Sequence, residues 1–265
     1  SIYPWLFLNA FLTLLAYPLI PLTERLFGFV SPITLTELSD MNRPLLRELA
    51  LKAPGTLQHS LQVGNLAEAA ARRIKANPLL VKVAALYHDI GKIENPGYFI
   101  ENQSGENPHD DLSPQESARI LIRHVTEGAK MARKAGLPPV LINFILTHHG
   151  KTRAEFFYRK FKEANTNLPT ADDLEFRYPG PLPRTKEESI LMLADSVEAA
   201  CKSLEKPTQE ELYALIDKII DHKLSGGQLA DSMLSFRELE ECRIVFRQIM
   251  KSVHHVRVVY PEEEE

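Results

Sequence analysis

The sequence predicts an all-α fold, a bundle of helices around a shared core. Three observations carry that prediction. Apolar residues fall at helical spacing through most of the chain, with no run of alternating strand-like segments. Three Ser/Thr-x-x-Glu capping boxes, Ser113 to Glu116, Thr208 to Glu211 and Ser235 to Glu238, mark helix starts. Apolar content of 44% with 25% charged residues is that of an ordinary globular chain rather than a disordered one.

Taken in order, Pro32 to Pro54 link an apolar start to the body, with a short helix over Leu45, Leu46, Leu49 and Leu51. His59 to Ala76 is expected as a helix, supported by Ala67, Ala69, Ala70 and Ala71. Asn77-Pro78 is a start signal, a cap residue followed by proline at the first helical position. The helix it opens is expected to stop at Gly91. Residues 94 to 112 carry Asn95-Pro96-Gly97, Ser104-Gly105 and Asn107-Pro108 and are expected as a loop. The box at Ser113 opens a long helix through His124 to Lys134, broken by Gly136-Leu137-Pro138-Pro139. Val140 to His149 is a short apolar helix closed by Gly150. Lys151 to Pro183 is charged and aromatic without clear periodicity, and Lys186 to Leu204 is a strong helix. The remaining boxes open two further helices. Val256 to Val259 is either a frayed helix end or a short strand, and Glu262 to Glu265 an acidic tail.

The net charge of −4 provides no global basic field to draw in a nucleic-acid polymer. Any anionic substrate must be held locally. Cys201 and Cys242 form no CxxC, which excludes a disulfide framework or cysteine metal site and fits a reducing compartment. The first 23 residues carry no charged side chain and have about the length that spans a bilayer, roughly 20 residues. Pro4, Pro18 and Pro21 weaken helix there. Three arrangements stay open for this segment: a transmembrane helix, an amphipathic helix packed on the domain or a partner, or a lipid-surface segment. Because the first residue is Ser and not Met, the chain is expected to be part of a longer one.

The chemistry concentrates in histidines and acids. His88-Asp89 ends the apolar run Leu79 to Tyr87; His59 precedes it, and His124, His148-His149 and Asp195 follow. An imidazole or carboxylate is costly to bury unpaired. Five of the nine histidines are expected at or near the ends of apolar helices, where a bundle opens to solvent and a hydrolytic metal keeps a position for water. Neighbouring residues on a helix diverge by about 100°, so His88 and Asp89 can grip different sides of a metal centre. Mixed His/Asp donors suit iron, manganese, zinc or nickel. Lys92 is placed to bind phosphate oxygens or to complement a helix C-terminus. His109, in the polar loop, is expected to support the site or touch substrate, and His222, His254 and His255 are expected on the surface.

His59, His88-Asp89 and Asp195 resemble the signature of the HD phosphohydrolase superfamily, and His124 with His148-His149 resembles its two-metal branch. A closer resemblance runs through Glu48 to Ser60, Tyr87 to Lys92, Phe99 to Gln103, Asn107 to Asp110 and Phe176 to Pro181. Together these are similar to the cytoplasmic HD domain of the seven-transmembrane HD receptors, the PgpH-type cyclic di-AMP phosphodiesterases; the likeness covers Pro32 to Leu204. Relatives that cleave cyclic di-GMP carry Gly-Tyr-Pro shortly after the histidine pair. Here Gly150-Lys151-Thr152-Arg153 follows instead.

The resemblance implies an HD-domain helical bundle with a dinuclear metal site, preceded by the end of a transmembrane helix. It divides the chain into that segment at 1–23, a phosphodiesterase core at 24–207, C-terminal helices at 208–258 packing on the core, and the tail at 259–265. It implies two divalent transition-metal ions, iron or manganese. His59, His88, Asp89 and Asp195 take one, and Asp89, His124, His148 and His149 the other. It implies cyclic di-AMP as substrate, opened by a hydroxide bridging the metals to linear pApA, with His88, Asp89 and Lys92 catalytic. Substrate contacts are expected from Lys92, His109, Arg177 and Tyr178, and Phe99 is open to stacking or to packing. The expected location is a bacterial cell membrane, with the catalytic domain facing the cytoplasm. The expected partners are the membrane, no nucleic-acid polymer and, as an open alternative, a second copy in a homodimer. Other nucleotide substrates and a non-cleaving sensor are the alternatives.

Overall fold

The computed structural model describes residues 2–165 and 173–254. Eleven α-helices lie in that range: α1 Tyr3–Phe27, α2 Pro32–Leu38, α3 Pro44–Lys52, α4 Pro54–Arg73, α5 Pro78–Tyr87, α6 Pro114–Lys134, α7 Pro139–Thr147, α8 Glu155–Ala164, α9 Lys186–Lys202, α10 Gln209–Ser225 and α11 Phe236–Val253. Most start as the sequence indicates. Asn77 accepts a hydrogen bond from the Leu80 N–H, and complete capping boxes open α6, α10 and α11. A fourth box, Thr185 with Glu188, opens α9.

Helices α4 and α9 lie at the centre. α4 packs on α5, α9 and α11, and α9 also meets α5, α7, α10 and α11. The α4–α5 approach is close because α4 presents small residues: a Cβ placed on Gly64 would sit 3.4 Å from Ala85 Cβ. Leu212, Ile216 and Ile220 of α10 and Leu239, Cys242 and Phe246 of α11 belong to the same buried cluster as Val63, Leu66, Leu191 and Leu193. Both cysteines, Cys201 on α9 and Cys242 on α11, are free and fully buried.

Several elements differ from the sequence expectation. α4 begins at Pro54, one and a half turns before His59, because Pro54 occupies the first helical position where its missing N–H is no loss. The 151–183 stretch contains α8, whose Phe157 joins Ala118 and Phe176 in a second apolar cluster. That cluster turns an aromatic segment into a packed helix. Helix α5 ends at Tyr87, and Gly91 lies in a 3-10 turn, Ile90–Glu94, rather than in a left-handed cap. Gly91 is required for a different reason: a Cβ there would meet the carbonyl oxygen of His124 at 1.9 Å. The Val256 to Val259 segment, the acidic tail and His255 lie outside the described residues.

The side chains of α1 are largely exposed, with Trp5 at 69% and Phe7 at 77%. No single described helix is long and apolar enough to cross a membrane. The bent pair Tyr3–Ala16 and Pro18–Glu24, at 41°, meets that test together. Pro18 explains the bend, since it removes a helical N–H and crowds the preceding turn. Glu24, near the end of α1, accepts hydrogen bonds from Ser31 N (2.7 Å) and Thr34 Oγ1 (3.0 Å), tying α1 to the start of α2.

Candidate metal centre and cleft

Five segments deliver the predicted ligands to one place. His59 comes from the second turn of α4, His88 and Asp89 from the end of α5, His148 and His149 from the end of α7. His124 sits in the middle of α6 and Asp195 in the middle of α9. The expectation that all the histidines lie near helix ends is therefore corrected for His124. It reaches the site because the glycine-bearing turn after Asp89 presses directly against α6.

The two oxygens of Asp89 face different groups. Oδ1 is 3.2 Å from His124 Nε2 and 3.6 Å from His148 Nε2. Oδ2 is 3.3 Å from His88 Nε2 and 3.8 Å from His59 Nε2. Asp195 completes the arrangement: Oδ1 lies 3.0 Å from His59 Nε2 and 3.7 Å from His88 Nε2, and Oδ2 lies 3.7 Å from His149 Nδ1. The sets His59–His88–Asp195 and His124–His148–His149 each have ligand atoms close enough to hold one ion, and Asp89 with His88 and His148 joins them.

The donor chemistry fits metal. His88, His124 and His148 direct Nδ1 to the carbonyl oxygens of Ala85, Leu121 and Ile145, three residues back, at 2.7, 2.5 and 2.8 Å. A carbonyl only accepts, so each Nδ1 carries the hydrogen, and Nε2 of a neutral ring is left as a lone pair aimed inward. His124 Nε2 and His148 Nε2 face each other at 3.2 Å. Two lone pairs at that distance repel unless a cation lies near both. His88 Nε2 and Asp89 Oδ1 are buried without a hydrogen-bond partner. His59 is held differently, through Nδ1 by the Glu198 carboxylate. Glu198, 2% exposed, was absent from the sequence reading. Its position one turn after Asp195 on the same face was the available signal.

Protonation follows this geometry. Burial opposes charge on His59 and His88. The carboxylates Asp195 and Glu198 nevertheless lift His59 to about 9, and Asp89 and Asp195 lift His88 to about 10. Burial also opposes ionisation of Asp89 and Asp195, yet the adjacent cations hold both well below the usual carboxylate range. Burial, reinforced by the charge on His88, drives His148 down to about 3, and burial with His148 depresses His149 strongly.

Lys92 lies 2.7 Å from both Asp89 Oδ2 and Glu101 Oε1. Its ammonium is thus already paired with two carboxylates, which hold it charged despite burial. Glu101 is fixed by the sequence neighbourhood that resembled the family. Thr56 Oγ1 donates to Glu101 Oε1 (2.9 Å) and Asn102 Nδ2 donates to Thr56 Oγ1 (2.7 Å). Gly55 is needed there because a Cβ would meet Glu101 O at 1.8 Å.

A cleft opens over the ligands in two lobes. One, about 600 Å³, is lined by His59, Asp195, Glu198, Lys202, Lys223 and Gln228 among others. The other, about 480 Å³, is lined by Tyr98, Phe99, Asn107, His109, His124 and Phe157 among others. Lys92, Ile100, Glu101, His149 and Tyr178 border both. Tyr178 packs against His149 with ring centres 4.2 Å apart and the rings tilted by 37°. Arg177 lines the first lobe, paired with Asp173 at 2.6 Å. His109 is buried, its Nε2 donating to Tyr98 O at 2.9 Å. Phe99 is 6% exposed, beneath the Lys92 ammonium at 4.8 Å and edge-on to His124 at 5.6 Å. It is a packing residue. His222 is exposed, as expected, although it lines the first lobe, and His254 is half-buried.

The segment after α10 also reaches the site. Gln228 Oε1 accepts from Lys151 N at 2.8 Å, and Gly150, at φ +54°, leaves it room: a Cβ there would lie 2.7 Å from that oxygen. The loop that follows the histidine pair is thereby pinned by a residue 77 positions downstream.

A family model described as HD domain matches residues 56–200. The chain is 45% identical over 245 residues to the cyclic-di-AMP phosphodiesterase PgpH of Bacillus subtilis (strain 168), covering 92% of this chain and 34% of that protein. It is 41% identical over 253 residues to PgpH of Listeria monocytogenes serotype 1/2a (strain 10403S), covering 95% of this chain and 35% of that one. The chain therefore spans about a third of the length of these curated relatives. A crystal structure of the L. monocytogenes PgpH HD domain in complex with cyclic-di-AMP superposes with a TM-score of 0.77 at 41% identity, covering 82% of this chain and 100% of that chain.

Proposed function

The chain belongs to the HD-domain family, and on that premise we propose that it is a metal-dependent phosphodiesterase that hydrolyses cyclic di-AMP to linear pApA. The observation that carries this reading is the division of one buried ligand cluster into two halves sharing Asp89, at the base of a cleft with two lobes. The substrate follows from the PgpH relatives, and two lobes beside one centre suit a ligand with two bases.

His59, His88, Asp89 and Asp195 would hold one divalent ion, and Asp89, His124, His148 and His149 the other. Imidazole and carboxylate donors without thiolate suit iron, manganese, zinc or nickel, and the family resemblance favours iron or manganese among these. When bound, such ions act as Lewis acids on phosphoryl oxygens and lower the pKa of water from about 15.7 toward 7. The protein's part is orientation. The i−3 carbonyls and Glu198 fix the imidazoles, Lys92 neutralises Asp89 and Glu101, and Tyr178 backs His149 and presents a ring to both lobes. His109 and Arg177 border separate lobes, where they meet the two ends of the substrate.

Membrane attachment through α1, with the catalytic domain on the cytoplasmic side of a bacterial cell membrane, belongs to the same proposal. It is supported by the exposed apolar pair of segments and by cysteines kept as free thiols. No described surface argues for the homodimer. The test is hydrolysis of cyclic di-AMP beside cyclic di-GMP with Mn²⁺ or anaerobic Fe²⁺. Cleavage of cyclic di-AMP to the linear dinucleotide, abolished in His88→Ala/Asp89→Ala, is expected. Preference for cyclic di-GMP, or turnover surviving those substitutions, would overturn the assignment.

A further inference from the structure

The cations bordering the larger lobe differ in one respect. Lys92 is paired with Asp89 and Glu101, Arg153 with Glu155 and Asp173, and Arg177 with Asp173. Lys202 is exposed. Lys223, on the last turns of α10, is only 8% exposed, lines the lobe, and has no ion-pair or hydrogen-bond partner for its ammonium among the described residues. The side chain is largely buried while its ammonium keeps access to the lobe, so little water and no described protein group compensates its charge. Burial holds the ammonium down at about 8, against the pull of Asp195. An anion entering the lobe would restore what burial removes.

Which anion it meets follows from position. Lys223 borders the larger lobe and not the smaller. It shares that lobe with Asp195 and His149 and acts on both through space, yet it is hydrogen-bonded or ion-paired to none of the seven ligand side chains, so its ammonium is left for an anion beside the metal centre. A cyclic dinucleotide carries two phosphodiesters, and only one can occupy the metal centre at a time. Resting on the phosphodiesterase reading above, we propose that Lys223 binds the phosphodiester of the cyclic dinucleotide that is not being cut. It is a binding residue, contributed by a helix that supplies no metal ligand.

The test uses the metal-loaded protein and two substrates. Bis(p-nitrophenyl) phosphate carries one phosphodiester and cannot use a second anion site. Cyclic di-AMP is measured both as a substrate and as a competitive inhibitor of the ester's hydrolysis. In Lys223→Met, which keeps the apolar stem, KM and Ki for cyclic di-AMP should rise roughly ten- to a hundredfold, as expected for loss of a charged hydrogen bond. Hydrolysis of the ester and metal content should stay unchanged. An unchanged Ki would overturn the proposal. So would a parallel fall with both substrates, which would place Lys223 at the metals or the scissile phosphate. Lys223→Gln decides the matter in the same way if the methionine variant does not fold. A wild-type protein that is inhibited by cyclic di-AMP without cleaving it overturns the hydrolase reading alone, since the Ki comparison still decides Lys223. A wild-type protein that hydrolyses the ester but is not inhibited overturns both.

Discussion

At the residue scale, the His59–His88 half of the cluster balances its acids with protons. In metal-stripped protein His59 and His88, lifted to about 9 and about 10, carry protons at neutral pH, whereas His148, at about 3, is already neutral. A metal takes the lone pair, so loading the His59–His88–Asp195 half releases two protons. Its apparent affinity should therefore rise by about a hundredfold per pH unit below about 9 and level off above 10. Acidification should empty this half first. Calorimetric titrations in buffers of different ionisation enthalpy measure the protons released; none released at pH 7 would refute the assignment. The sign for stability of stripped protein is opposite: the raised values stabilise it below pH 6.5, and that contribution is lost as pH rises through about 9 to 10. Glu198 gives a separate prediction. Glu198→Gln removes the carboxylate that orients His59 and should weaken metal binding roughly ten- to a hundredfold. Turnover should recover at saturating metal, as a metal titration of activity would show. The seven proposed ligands stood out in the sequence as histidines and acids in or beside apolar helical runs, and the family resemblance assigned them to two metals. Glu198 did not stand out, because a glutamate on a helix reads as solvated until its neighbours are known.

At the element scale, the register between the turn after Asp89 and α6 sets the spacing of the two halves. Gly91→Ala would force a Cβ into the His124 carbonyl, while Gly128, facing the same turn, leaves more room, its nearest such contact being 3.1 Å. The Gly91 variant should lose several kcal/mol of stability, on the order of 3 or more, or fail to fold. Gly128→Ala should be milder, and thermal melts of the two compare them directly. Helix starts were legible because capping boxes and Asn77-Pro78 act locally. The role of Gly91 was not: a glycine after a helix suggests a left-handed cap, and only the packing of a second helix shows that space is the constraint. α8 was hidden for a related reason. Its aromatic residues bury against Phe176 and Ala118, partners that lie far off in sequence.

At the scale of the whole molecule, the cleft is walled by residues from His59 to Gln228, so the C-terminal helices take part in the site as well as in the core. The sequence reading placed them only as packing, since neither Lys223 nor Gln228 belongs to any motif. The N-terminal end behaves differently. α1 is exposed up to the residues that join it to α2, so removal of residues 1–23, keeping Glu24 as the acceptor for Ser31 and Thr34, should leave melting temperature and turnover unchanged. A drop of more than a few degrees in that comparison would show that α1 supports the body. The two buried thiols give the molecule a built-in gauge of its own opening. Burial pushes both up to about 12, so neither Cys201 nor Cys242 is reactive while its helix is seated. Alkylation then proceeds only through unfolding, and each thiol reports a different part: Cys201 the helix that carries Asp195, Cys242 the last helix. Equal protection at the two sites, read by mass spectrometry, is expected, because both contribute to one continuous core. Faster labelling of Cys242 would mean that the last helix can come away while the metal-bearing helices remain folded.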